Sequence, residues 1–310
     1  MEYYRPTSVE DAVQILGRSP GAACMAGGTD LVVAMRSHKR GPHAIVDLSG
    51  LGLDTWIFDD ASNRPAKVKT QGTKKAGNDE QRLGPGWRIG ATVTMAVLKT
   101  LEDEDNLGVG LLADAASQVG ATQIQNRATA GGNLCNGSPA ADAVCAMVAL
   151  DALIEIAGPT GAETMPIGKF LLGPGRVNLE PGQFLTGIFV PAHDMKKSSV
   201  ALQEYRKVGS RTSLVIAVAG LAARTVLDKG KVVESRLALS SVAPTCIRAT
   251  EAEAYLTGGP LSPDRIREAS HLAREEARPI TDLRATDQYR KEMVSALVTD
   301  HLTRAAALAQ

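Results

Sequence analysis

Ala26-Gly27-Gly28-Thr29-Asp30-Leu31 and, about a hundred residues on, Asn126-Arg127-Ala128-Thr129-Ala130-Gly131-Gly132-Asn133-Leu134-Cys135-Asn136 are the stretches that decide how this chain is organised. Each sets a glycine pair at a bend where main-chain N–H groups can converge. A buried pyrophosphate needs its negative charge paired, and backbone donors or a helix N-terminus supply that without Lys or Arg. Hydrogen bonds to a charged acceptor contribute roughly 1.5–3 kcal/mol each, so a handful of amides anchors a dinucleotide. Glycine suits such a bend because any Cβ would hold the phosphate off the backbone. Thr29 and Thr129 add a hydroxyl beside each pair. Neither stretch is GxGxxG and the chain has no GK[ST], which speaks against a Rossmann nicotinamide site and a P-loop NTPase. Alone, either bend is compatible with a plain turn, and spacing does not say whether both face one ligand.

Outward from the first bend, the order is helix, strand, glycine turn, helix, strand. Thr7 and Glu10 form a capping-box pattern ahead of Val9, Ala12, Val13 and Leu16. Ala22 to Ala26 reads as a short buried strand, Leu31 to Met35 as a helix, and Ala44 to Leu48 as a strand, an alternation that builds α/β layers. Residues 59–86, rich in Lys, Asn, Gly and Gln, read as a solvated insert between strands near Trp56–Phe58 and Trp87–Ala91. Thr94–Leu101 and Leu107–Val119 are helical in pattern, as is the apolar run that Asp142 opens, and Ala152–Ala157 and Gln183–Val190 read as strands. Past His193, long strands at Val200–Val208, Thr212–Val226 and Lys231–Val242 precede helices near Ile247–Leu256, Pro263–Ala277 and Thr286–Leu308. Strands followed by helices indicate a separate α+β domain.

Composition bounds the function. The 310 residues carry 34 Lys+Arg against 34 Asp+Glu, a balance unlike that of a nucleic-acid binder. Aromatics are 4%, too few for a base-stacking platform. No secretory signal and no membrane span are visible, so a cytoplasmic location is expected. Cys24, Cys135, Cys145 and Cys246 are scattered without metal-ligand spacing and read as reduced thiols, with no metal site. The five histidines show no partner constellation, and no catalytic base or nucleophile is assigned.

The two glycine stretches, together with Ser138-Pro139-Ala140-Ala141-Asp142, Ile89-Gly90-Ala91 and Tyr205-Arg206-Lys207 with Arg211, strongly resemble the FAD-binding medium subunit of molybdenum hydroxylases, the xanthine dehydrogenase and carbon monoxide dehydrogenase flavoprotein family. The resemblance spans nearly the whole chain. It implies an α+β protein: a p-cresol methylhydroxylase-like FAD-binding domain of two α/β subdomains, residues 1–58 and 59–192, and a C-terminal α+β domain with an antiparallel sheet and helices, residues 195–310. It places the FAD pyrophosphate on Ala26, Gly27, Gly28, Thr29 and Asp30 and on the turn containing Thr129, Gly132 and Asn133. Asp142 matches a carboxylate that hydrogen-bonds FAD hydroxyls, or else serves as a helix cap. For Asp30 capping is the competing role, since a carboxylate beside phosphate is repelled. Leu185 matches an apolar position near the adenine, with core packing as the alternative. Lys207, or Arg206 in another alignment, matches a basic position near the flavin. The implied partners are a large molybdopterin-binding subunit, a small [2Fe–2S] subunit (as a dimer of heterotrimers) and an external electron acceptor.

This sequence departs from the family pattern in places. Ala130 stands where Ile or Leu is more usual, the 59–86 stretch exceeds the usual hairpin, and no aromatic directly follows Lys207. The cysteine-rich insertion of the 4-hydroxybenzoyl-CoA reductase branch is missing, because Cys135 runs straight on to Asp142. Two other functions stay open on sequence: a structural bridging subunit with a vacant nucleotide pocket, and a self-sufficient flavin oxidase of the same superfold.

Overall fold

The computed structural model describes residues 1–39, 41–59, 83–101, 108–193, 195–211 and 214–309. Most of the 59–86 insert, residues 60–82, lies outside the described residues, as do Leu107, Thr212 and Ser213. The chain forms two compact units that interleave along the sequence. One comprises Met1–Val97, Thr122–Asn136 and Asp151–Ala192; the other comprises Leu98–Ala121, Gly137–Leu150 and His193–Gln310.

In the first unit a small parallel sheet has Ala44–Asp47 between Glu2–Tyr4 and Ala23–Met25. All four residues of the central strand are buried, and the apolar stripe Ala12, Ile15 and Leu16 of helix Val9–Arg18 packs with Val46 and Leu48. That helix corrects one expectation. Its cap is Ser8, not Thr7: the Ser8 hydroxyl accepts from Asp11 N–H, while the Asp11 carboxylate accepts from Thr7 N–H at 3.1 Å. Shifted by one residue, Ser8 and Asp11 satisfy amides that a Thr7–Glu10 pair would leave open.

A second, antiparallel sheet follows the order Trp56–Asp59, Gly86–Gly90, Phe184–Pro191, Leu153–Gly158, Gly161–Pro166. The helical pattern at 94–101 condenses to one turn, Met95–Leu98. A two-stranded hairpin, Leu171–Gly173 with Arg176–Val177, completes the unit.

The second unit is built on an antiparallel sheet of Ser199–Val208, Ala219–Asp228, Lys231–Ser240 and the short Ile247–Arg248. Its second strand starts at Ala219, later than the expected Thr212. The connection closes at Val218, whose N–H donates to the Val208 carbonyl at 2.7 Å, and Val208 then faces Ala219 in register. Every residue from Ala219 to Leu227 is buried, so the sheet is covered on both faces. Leu221 and Ala223 pack with Val294, Val298 and Leu302 of helix Asp287–Leu308. The alternate residues belong to the face where helices Val109–Ser117 and Asp142–Ala149 pack. Helix Pro263–Glu276 starts as its sequence indicates, with Ser262 as cap and proline in the first turn. The helical stretch before it shortens to Thr250–Leu256, because Ile247 and Arg248 join the sheet.

Candidate functional site

The two glycine bends meet. A Cβ built on Gly27 would stand 1.8 Å from the Arg127 carbonyl oxygen and 2.6 Å from its carbon, so the bends touch main chain to main chain. Gly27 therefore permits contact between the bends, a different task from clearing space for a ligand. Gly28 has φ +73°, a left-handed conformation that costs an ordinary L residue roughly 1–2 kcal/mol. It turns the chain into helix Leu31–Arg36. Among the described residues, the main-chain N–H groups of Gly27, Gly28 and Thr29 donate to nothing. Asp30 sits at the cap position without making a cap hydrogen bond; its carboxylate accepts from Asn136 Nδ2 at 3.3 Å.

The second bend is already bonded. Ala130 N–H donates to Val93 O, Gly131 N–H to Ala91 O, and Asn133 N–H to Thr129 O within the helical turn. Thr129 caps helix Ala130–Cys135, its hydroxyl oxygen accepting from Gly132 N–H at 3.1 Å. This side thus contributes few free amides; it offers the bare, exposed face of Gly132 and the Thr129 hydroxyl hydrogen. The Asn133 Oδ1 is buried without a hydrogen-bond partner, an acceptor that a ligand donor would satisfy.

Ala26, Gly132 and Leu185 line one cavity of about 670 Å³ in the first unit, within the size range of cofactor pockets. Leu185 is buried, and its side chain lies 3.1 Å from where a Gly131 Cβ would be. Residues Leu179–Phe184 and Arg176 of the small hairpin, which no motif pointed to, also form the wall. Free amides, a bare glycine face, an unpartnered buried acceptor and a largely apolar wall together fit a dinucleotide.

Asp142 and Lys207 belong to the second unit and form a buried pair there. Lys207 Nζ donates to Asp142 Oδ2 at 2.7 Å and to Gln118 O at 3.0 Å, and the Tyr205 hydroxyl donates to Asp142 Oδ1 at 2.5 Å. Asp142 occupies the first helical position rather than the cap, which is Ala141. Burial pushes its carboxyl above the ordinary value, against the Lys207 charge and the hydrogen bonds from Lys207 and Tyr205. Burial and the adjacent Asp142 charge raise the Tyr205 phenol well above its usual value, which keeps it a donor.

Strand alternation separates the two basic candidates. Tyr205 and Lys207 share a face, whereas Arg206 lies on the other with Glu204. The Lys207 side chain is 9% exposed; that of Arg206 is 47% exposed, near Glu204 and Asp300. Tyr205, given no role in the sequence reading, joins this buried network, although its place two positions before Lys207 was a readable signal.

An interleaved α+β fold with two glycine bends against a nucleotide-sized cavity defines a dinucleotide-cofactor protein. The chain belongs to the family of the FAD binding domain in molybdopterin dehydrogenase, matched over residues 1–62 and 78–193, joined to the CO dehydrogenase flavoprotein C-terminal domain, residues 204–305. This is a family of oxidoreductase flavoproteins, and its cofactor is FAD. The residues left out between the matched segments fall within the 59–86 insert. Among similar proteins, the xanthine dehydrogenase FAD-binding subunit of Escherichia coli O157:H7 is 30% identical over 99% of this chain and 96% of its own. The carbon monoxide dehydrogenase medium chain of Afipia carboxidovorans is 28% identical over 100% of this chain and 98% of its own. The fold superposes on a chain of carbon monoxide dehydrogenase from Hydrogenophaga pseudoflava with a TM-score of 0.82 at 28% identity, covering 100% and 98% of the two chains. Among the described residues, no helix is long and apolar enough to cross a membrane.

Proposed function

We propose that this chain is the FAD-binding electron-transfer subunit of a molybdenum hydroxylase complex. It would pass electrons from the [2Fe–2S] clusters of a small subunit through FAD to an external acceptor, beside a large molybdopterin-binding subunit. The observation that carries the proposal is the main-chain contact between the two glycine bends, whose neighbouring residues Ala26, Gly131 and Gly132 line one cavity. Flavin, when bound, supplies chemistry in one- and two-electron steps, while the protein supplies position and electrostatics.

The chain's own residues divide that work. Amides of Gly27, Gly28 and Thr29 hold the diphosphate, with the Thr129 hydroxyl and the bare face of Gly132 opposite. Asn133 Oδ1 accepts from a ligand donor, and Leu185 packs beside the adenine. Asp142 has about four lone-pair positions, of which Lys207 and Tyr205 take two, leaving acceptors for FAD hydroxyls. In this reading Lys207, buried and paired with Asp142, is the basic group near the flavin, and the more exposed Arg206 is not. No residue is cast as a general base or nucleophile. Assembly as a dimer of heterotrimers and a cytoplasmic location belong to the same proposal.

The test is the visible spectrum of the purified protein. Oxidised-flavin absorption, lost in a folded Gly132→Val variant, supports the proposal. A colourless protein that takes up no added FAD would overturn it in favour of a bridging role.

A further inference from the structure

A diphosphate bridge carries negative charge on each phosphate, and the donors assigned so far are neutral. On the second bend, the amides of Ala130, Gly131 and Gly132 are committed within the fold. The charged side chains lining the cavity are Arg176 and Glu180. Arg176 stands on the small hairpin, directly after its Pro174-Gly175 turn, where Gly175 has φ +67°. Its guanidinium has no hydrogen bond or ion pair among the described residues. A planar guanidinium offers paired N–H donors that match phosphate oxygens.

We propose that Arg176 is the cation that binds the diphosphate of the nucleotide in this cavity. The proposal rests on the FAD assignment and deepens it: the glycine bends supply close approach and neutral donors, and the hairpin supplies the charge. Glu180, the anion of the wall, makes that positive charge the more necessary.

The experiment uses the full-length chain, in whatever assembly it is purified, stripped of flavin and titrated with FAD by fluorescence at low and high salt. Arg176→Gln should bind FAD about 10-fold more weakly at low salt, the lower end for a charged hydrogen bond because the side chain is exposed. The gap should shrink at high salt as the charge is screened. A variant that binds as tightly as wild type at low salt overturns the proposal. So does a loss of equal size at both salts, which would mark a packing role. A wild-type protein that takes up no FAD overturns the flavin assignment itself, and this proposal with it.

Discussion

Replacing Gly27 with alanine tests the contact on which the site depends. The added methyl would stand 1.8 Å from Arg127 O, 2.6 Å from Arg127 C and 3.2 Å from Ala128 Cα, all main-chain atoms that cannot swing aside. Reaching even a 3.0 Å separation requires the carbonyl to retreat by about 1.2 Å. Its segment is pinned by Ala128 N–H to Ile124 O at 2.7 Å, Met95 N–H to Ala128 O at 2.8 Å and Ala130 N–H to Val93 O at 2.8 Å. Overpacking of this kind costs about 1–3 kcal/mol, and each hydrogen bond given up adds about 1 kcal/mol. A destabilisation of about 3 kcal/mol is therefore expected, together with at least about 10-fold weaker FAD binding as the first-bend amides are re-aimed. Urea unfolding reads the first effect as a lower midpoint, and flavin fluorescence titration reads the second. Gly17→Ala is the control: Gly17 lies within helix Val9–Arg18 with nothing near its missing Cβ, so alanine should stabilise by about 0.5–1 kcal/mol. An unchanged midpoint and unchanged flavin content in Gly27→Ala would refute the reasoning.

The two neighbouring cations should separate cleanly. Lys207→Met strands the buried Asp142 carboxylate and should cost about 3–5 kcal/mol in equilibrium unfolding, while Arg206→Met, on the exposed face, should cost less than about 1 kcal/mol; equal costs would sink the strand-face argument. Asp282 is held at about 2, below its ordinary 3.8, chiefly by Arg284 N–H, and also by Arg290 and Ala285 N–H. Between those values the unfolded chain binds the extra proton, so the stability contributed by Asp282 is full above about 4 and fades as pH falls toward about 2. Asp282→Asn should flatten that part of the acid-unfolding curve, and a carboxyl resonance titrating near 3.8 would contradict the assignment.

The glycine pairs, the first strands and helices, and the strands-then-helices order of the last hundred or so residues are local patterns, and local patterns are legible in one dimension. The Ser8 cap was misplaced by one residue because Thr7–Glu10 and Ser8–Asp11 satisfy similar templates; which serine or threonine oxygen points at an amide depends on where the helix enters. The roles within the second bend were not legible either. Sequence shows that Gly131 and Gly132 are adjacent, but not that Gly131 N–H is consumed by Ala91 O, just past strand Gly86–Gly90, while Gly132 stays exposed. Nor does any motif join Gln118, Asp142, Tyr205 and Lys207, which come together only when helix and strand pack.

Residue type alone marked the two glycine bends as candidate anion-binding turns, and the cofactor class followed from the resemblance of those stretches to the molybdenum hydroxylase medium-subunit family. Which compact unit each segment joins was decided by tertiary structure alone. Residues 122–136 fold with the first unit while 98–121 and 137–150 fold with the second, because burial and long-range hydrogen bonds reward partners distant along the chain. The same holds for the buried pair: alternation puts Lys207 and Tyr205 on one face of a strand, but only the packing of helix Asp142–Ala149 against that face turns a surface-type lysine into a desolvated counter-ion.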